Sequence, residues 1–221
     1  MLISLFSQPD ILIFFVAAIL IAITVHEFAH AWMANALGDP TAKYAGRVTL
    51  NPLAHLDPLG TIMILLVGLG WGKPVPYNPN FVRRGKFGEV LIALAGPFSN
   101  IIVAIIFALP NRIYYMMNGS FLEGQLFVFL SVVIVMNMVL AAFNLLPIPP
   151  LDGSKLLYFV LDKLSLHPYT WWASFERLGP MMILAVIFAE RLFNVNIIWG
   201  IIDPLIAMIG FISGGNIMSI F

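Results

Sequence analysis

Residues 11–37, ILIFFVAAILIAITVHEFAHAWMANAL, decide how this chain is read. They form an apolar run that as a helix extends about 40 Å, enough to cross a bilayer with some tilt. Inside it lies His26-Glu27-Phe28-Ala29-His30. Histidines four residues apart share one helix face and the glutamate lies beside them, which is what a zinc ion with a general-base carboxylate requires. Ionisable groups are costly in a span, so their presence points to chemistry rather than to packing.

The rest of the composition agrees with a membrane setting. Of 221 residues, 61% are hydrophobic and 10% charged, and no polar stretch is long enough to fold as a separate soluble module. The expected fold is an all-α polytopic membrane protein with about five to six apolar segments, one domain over residues 1–221 with its core at about 11–162 and C-terminal helices at about 169–213. The formal net charge is zero and the basic residues are not clustered, which excludes a nucleic-acid surface. The absence of cysteine excludes disulfides, thiolate ligands and thiol nucleophiles. No basic region precedes the first span and it is too long for a signal peptide, so it is expected to be retained.

Gly38-Asp39-Pro40 ends the first span, and Thr41 to Asn51, with Tyr44, Val48 and Thr49, reads as β-like at the membrane edge. Thr61 to Leu69 is apolar but would cover only roughly 14 Å as a helix, so it is expected to be re-entrant. Gly88 to Leu109 and Glu123 to Leu146 have spanning length and read as a hairpin, with a polar connection around Asn111, Arg112 and Asn118. An amphipathic piece, Ser154 to Leu164, and two apolar segments, Gly179 to Phe188 and Ile197 to Ile212, follow. Lys43, Arg47, Lys73, Arg83, Arg84 and Lys86 lie between the first span and Gly88, whereas Arg112 stands alone in the next connection. The positive-inside rule therefore puts 43–86 in the cytosol, together with the region of Lys155, Lys163 and Arg177. If 61–69 is re-entrant, Asp152 then reaches the side on which His26 and His30 lie.

Catalytic zinc sites generally use three protein ligands and a water, so two histidines leave one ligand to find. The candidate is Asp152, in Asn144-Leu-Leu-Pro-Ile-Pro-Pro-Leu-Asp-Gly153, where prolines prevent regular helix and glycine permits a sharp turn. Unwound backbone at that depth is tolerated when it lines a wet cavity, as one beside a metal would be.

With both motifs in view, the chain resembles the site-2 proteases, the intramembrane zinc metalloprotease family. The resemblance rests on His26-Glu27-x-x-His30 and on Asn144-x-x-Pro-x-Pro-x-Leu-Asp152-Gly, with Asn51 to Gly60, Gly70 to Val75 and Ala95 to Asn100 also similar, and covers roughly residues 15–160. It implies one zinc per chain held by His26, His30 and Asp152, with Glu27 as the general base that hydrolyses peptide bonds of transmembrane protein substrates. It also implies an active site toward the cytosolic side of a prokaryotic cell membrane, in a minimal form without the PDZ or CBS domains of larger members. Gly70, Trp71, Gly72 and Val75 are candidates to pair with an unwound substrate by β-addition. Asn100 and Asn144 are candidates for transition-state contact, beside the plainer reading in which a buried amide satisfies neighbouring backbone groups.

Plainer readings hold elsewhere. His55 and Asp57 are expected to form a capped turn rather than ligate a metal, His167 to sit at the interface, and Trp171 and Trp172 to belong to an aromatic belt. A catalytically silent scaffold and a zinc transporter are the alternatives. The first gives Glu27 no reason to lie between two ligands, and the second needs a polar path through both leaflets. Four histidines are too few for a di-iron desaturase.

Overall fold

The computed structural model describes residues 9–67, 70–166 and 168–193, with 195–196, 200, 203–204 and 207 beyond them. Helix α1 is described over Pro9–Ala36, and Gly38 at φ 100° turns the chain out of it. After the short α2 (Thr41–Tyr44) and α3 (Pro58–Val67) come the long helices α4 (Gly85–Asn118) and α5 (Gly124–Asn144), then α6 (Gly153–Lys163) and α7 (Trp172–Phe193).

Among the described residues four helices are long and apolar enough to cross a membrane: α1, α4, α5 and Trp172–Glu190 of α7. The chain is an integral membrane protein. α1, α4 and α5 pack on one another and make the core. Ala104 and Ala108 of α4 meet Ile134, Met138 and Ala142 of α5, and Ala18 of α1 joins Val103, Val132 and Val133. The alanines matter because lipid gives little drive for apolar helices to associate, so helices that approach closely rely on small residues and van der Waals contact.

Several expected elements take a different form. The 41–51 stretch is not β-like, because Asp39 accepts hydrogen bonds from the Thr41 N–H at 3.0 Å and hydroxyl at 2.5 Å and starts α2, while Asn51 accepts the Leu53 N–H and starts a 3-10 turn at Pro52–Ala54. Among the described residues the extended pairing is one bridge, Leu56 with Gly72, supported by the Lys73 N–H to the His55 carbonyl at 2.7 Å. The helix before it runs from Pro58 to Val67, capped by Asp57, which accepts the Gly60 N–H at 2.8 Å. His55 is buried and its Nε2 bonds to the Thr49 carbonyl.

The expected polar connection at Asn111 and Arg112 is helical instead. α4 continues to Asn118, and the chain folds back as the Asn111 side chain accepts the Leu122 N–H at 3.0 Å. α7 starts at Trp172, seven residues before the expected Gly179. Trp172 is 7% exposed, packs on Tyr158 and Phe175 and donates to Glu176, so only Trp171 is exposed as a belt residue would be. His167 and most of 197–212 lie outside the described residues.

The loop from 74 to 84 is tied to the end of α1. Fully buried Asp39 accepts the Asn78 N–H at 2.6 Å as well as the two Thr41 bonds, and the Arg83 N–H reaches the Leu37 carbonyl. Burial raises the Asp39 pKa, and the hydrogen bonds from the Thr41 hydroxyl, Asn78 and the Thr41 N–H outweigh it, leaving the carboxyl below its ordinary value. Asp39→Ala should destabilise the protein by about 1–3 kcal/mol in detergent denaturation, since it strands buried donors. A folded-state pKa below the unfolded one gives stability that is present at neutral pH and lost as pH falls below about 4, so variant and parent should converge in acid. A gap that persists unchanged in acid would rule out the ionised carboxylate as its source.

Candidate metal centre

His26 and His30 lie one helical turn apart on α1, both buried, with ring centroids 4.6 Å apart and planes nearly perpendicular. Helix α4 crosses behind them and contributes three supports, one per turn. The Ile92 carbonyl lies 2.7 Å from His30 Nδ1, and the Asn100 side-chain oxygen 2.6 Å from His26 Nδ1. Between them Gly96 leaves the room the rings occupy: a Cβ there would lie 2.5 Å from His30 Nε2 and 2.7 Å from His26 Cε1.

These partners fix the tautomers. A carbonyl can only accept, so His30 carries its proton on Nδ1. The Asn100 amide nitrogen donates to the Ala22 carbonyl at 3.0 Å and to Asn137 Oδ1 at 2.8 Å, which turns its oxygen to His26 and makes His26 Nδ1 a donor as well. Nε2 of each neutral ring is therefore left as a lone pair directed to the side of Asp152.

The loop after α5 brings Asp152 to them. It turns through Leu145 to Leu151 with a cis Pro149–Pro150 bond, and Gly153 starts α6 where a Cβ would lie 2.2 Å from the Leu145 carbonyl oxygen. Asp152 occupies the N-cap position without spending its side chain on the cap. Its Oδ2 lies 3.2 Å from His26 Nε2 and 3.3 Å from His30 Nε2, and among the described residues no other group bonds to it. With Nδ1 the donor of each neutral ring, two imidazole lone pairs and a carboxylate oxygen converge on one point. A proton or a metal cation among them relieves their repulsion, and three such donors within 4.8 Å of one another are a set that fits a tetrahedral metal with one open position.

The group opens onto a cavity of about 390 Å³ lined by Glu27, Asn144, Gly70, Trp71, Gly72 and Val75 among others. Of the residues singled out in the sequence, Asn100 does not line it; its amide lies behind His26 with both donors engaged. Gly72 brings the 70–75 segment against the site, since a Cβ there would be 3.1 Å from Glu27 Oε1. Buried Arg47 holds that segment by donating to the carbonyls of Lys73 and of Pro74, the latter at 3.2 Å.

Gly96, Asn137 and Arg47 were not identified from the sequence as site residues. Asn137 carried a signal, an amide in the apolar run 132–140. Arg47 read only as a topological charge, Gly96 stood out only within the family-like stretch Ala95 to Asn100, and nothing local marks the Ile92 carbonyl; both gain their meaning from α1.

A family model described as peptidase family M50 matches residues 110–189. A Bacillus subtilis (strain 168) protein bearing the name "Putative zinc metalloprotease YwhC" is 43% identical over 157 residues, 69% of this chain and 71% of that protein. Rip2 of Mycolicibacterium smegmatis, similarly named, is 32% identical over 66% of this chain and 57% of its own length. MJ0611 of Methanocaldococcus jannaschii is 29% identical over 76% and 79%. No solved structure matches at a significant level.

Proposed function

Because this chain belongs to peptidase family M50 and is a zinc metalloprotease, we propose that it hydrolyses peptide bonds of transmembrane protein substrates at one zinc held by His26, His30 and Asp152. The observation that carries this is the convergence of His26 Nε2, His30 Nε2 and Asp152 Oδ2 on one point, in a cavity that Glu27 also lines.

Zinc held there supplies a Lewis acid that acidifies water and polarises the scissile carbonyl. Glu27, on the same cavity, takes the proton from the attacking water and passes it to the leaving amine. Asn144 faces the cavity with one amide proton on the Leu140 carbonyl, and its second is the donor we assign to the developing oxyanion. A substrate helix must unwind first, because its own amides and carbonyls are paired. The segment from Gly70 to Val75, held on one side by the Leu56 bridge and Arg47, is the main chain against which the unwound stretch pairs. The basic residues between Lys43 and Lys86 support an active site on the cytosolic side.

Asp152→Ala tests the ligand set. Removing one of three protein ligands should leave the purified protein without stoichiometric zinc by elemental analysis and without cleavage of a membrane-embedded substrate. Full zinc occupancy in that variant would exclude Asp152 from the site.

A further inference from the structure

The geometry points to Asn137, on α5, as a positioning residue for the metal centre that acts through Asn100 on the tautomer of His26, an inference that rests on the zinc reading above. The two histidines are supported differently. His30 bonds to a backbone carbonyl, which cannot turn around. His26 bonds to a side-chain amide, whose two ends have nearly the same shape and opposite polarity. If the Asn100 amide flips, its NH₂ meets Nδ1, the histidine proton moves to Nε2, and a proton rather than a lone pair points at Asp152.

Two contacts choose between these orientations. The Ala22 carbonyl is one, at 3.0 Å from the Asn100 nitrogen. Asn137 Oδ1 is the other, at 2.8 Å, and it is itself fixed because Asn137 Nδ2 donates to the Val133 carbonyl one turn back on its own helix at 2.8 Å. The chain of bonds therefore begins at a backbone oxygen of α5, passes through Asn137 and Asn100, and ends at His26. Both amides are fully buried, so water cannot replace a missing partner. Asn137 touches neither the ligands nor the cavity, yet it selects the ligand state of His26.

The test uses the full-length protein in detergent, with zinc affinity read by chelator competition and the histidine tautomers by ¹⁵N NMR. Asn137→Leu keeps the volume and removes one hydrogen bond of the two that orient Asn100, so zinc should bind about tenfold more weakly. Asn100→Leu, which removes the outer-shell partner itself, should cost about 10–100-fold. Asn100→Asp in the Asn137→Leu background should restore the affinity, because a carboxylate has no NH₂ end and accepts the Nδ1 proton either way round. Recovery in the double variant supports the inference. Unchanged affinity in Asn137→Leu overturns it, and so does a loss that Asn100→Asp fails to recover, which would leave Asn137 a packing residue. Should the parent protein bind no zinc, the metal reading fails and the tautomer still decides: His26 protonated on Nδ1 in the parent and shifting to Nε2 in Asn137→Leu supports the relay, and no shift overturns it.

Discussion

Glu27→Gln should retain zinc and cut more slowly by a factor of about 10²–10⁴, the usual contribution of a positioned general base. Glutamine has the shape of glutamate and cannot accept the proton. Because Glu27 is not among the three converging donors, its replacement leaves the metal-binding group intact. Zinc analysis and cleavage of a transmembrane substrate in proteoliposomes, on the same preparation, separate the two properties that Asp152→Ala removes together. Cleavage at the parental rate would mean that another group takes the proton.

Gly96→Ala should abolish zinc binding although residue 96 ligates nothing. The added Cβ would lie 2.5 Å from His30 Nε2, 2.6 Å from His30 Cε1 and 2.7 Å from His26 Cε1, well inside the distances real Cβ atoms keep. Neither ring can retreat without giving up its Nδ1 bond, to Ile92 on one side and to Asn100 on the other. In a mid-helix position alanine is otherwise favoured over glycine by about 1 kcal/mol, so intrinsic helix propensity does not oppose the change. The expected outcome is a helical protein by circular dichroism with no zinc and no cleavage. Stoichiometric zinc in Gly96→Ala would show that the rings are not held where α4 places them.

The sequence made the grouping of His26, His30 and Asp152 legible because its signals are local. His26, Glu27 and His30 need only helical periodicity to be placed together, and Asp152 announces itself through the prolines around it. The spans were legible from apolar length, and Asp57 from its turn chemistry. What failed were boundaries and edges. Asn111 looked like a loop residue and is a buried anchor that the loop folds onto, and Thr41 to Asn51 had β-forming residues whose preference lost to capping by Asp39 and Asn51. The supports of the histidines were illegible for a different reason. Ile92 carries no signature, Gly96 and Asn100 lie in a stretch that stood out only by resemblance and whose contacts appear once a second helix lies across it, and Asn137 acquires a role only through a third.

The supports on α4 sit at 92, 96 and 100, and what they hold on α1 runs the opposite way, His30, then both rings, then His26 and the Ala22 carbonyl. The centre is thus a matter of phase between two antiparallel helices, stepped in fours. Each residue advances a helix by about 100°, so adding or deleting a single residue between 92 and 100 swings one end of this ladder away from its histidine while every side chain remains in the chain. The ladder sets no length for the loops, the termini or the lipid-facing residues, but over 22–30 and 92–100 the length of the chain is as constrained as the identity of any ligand.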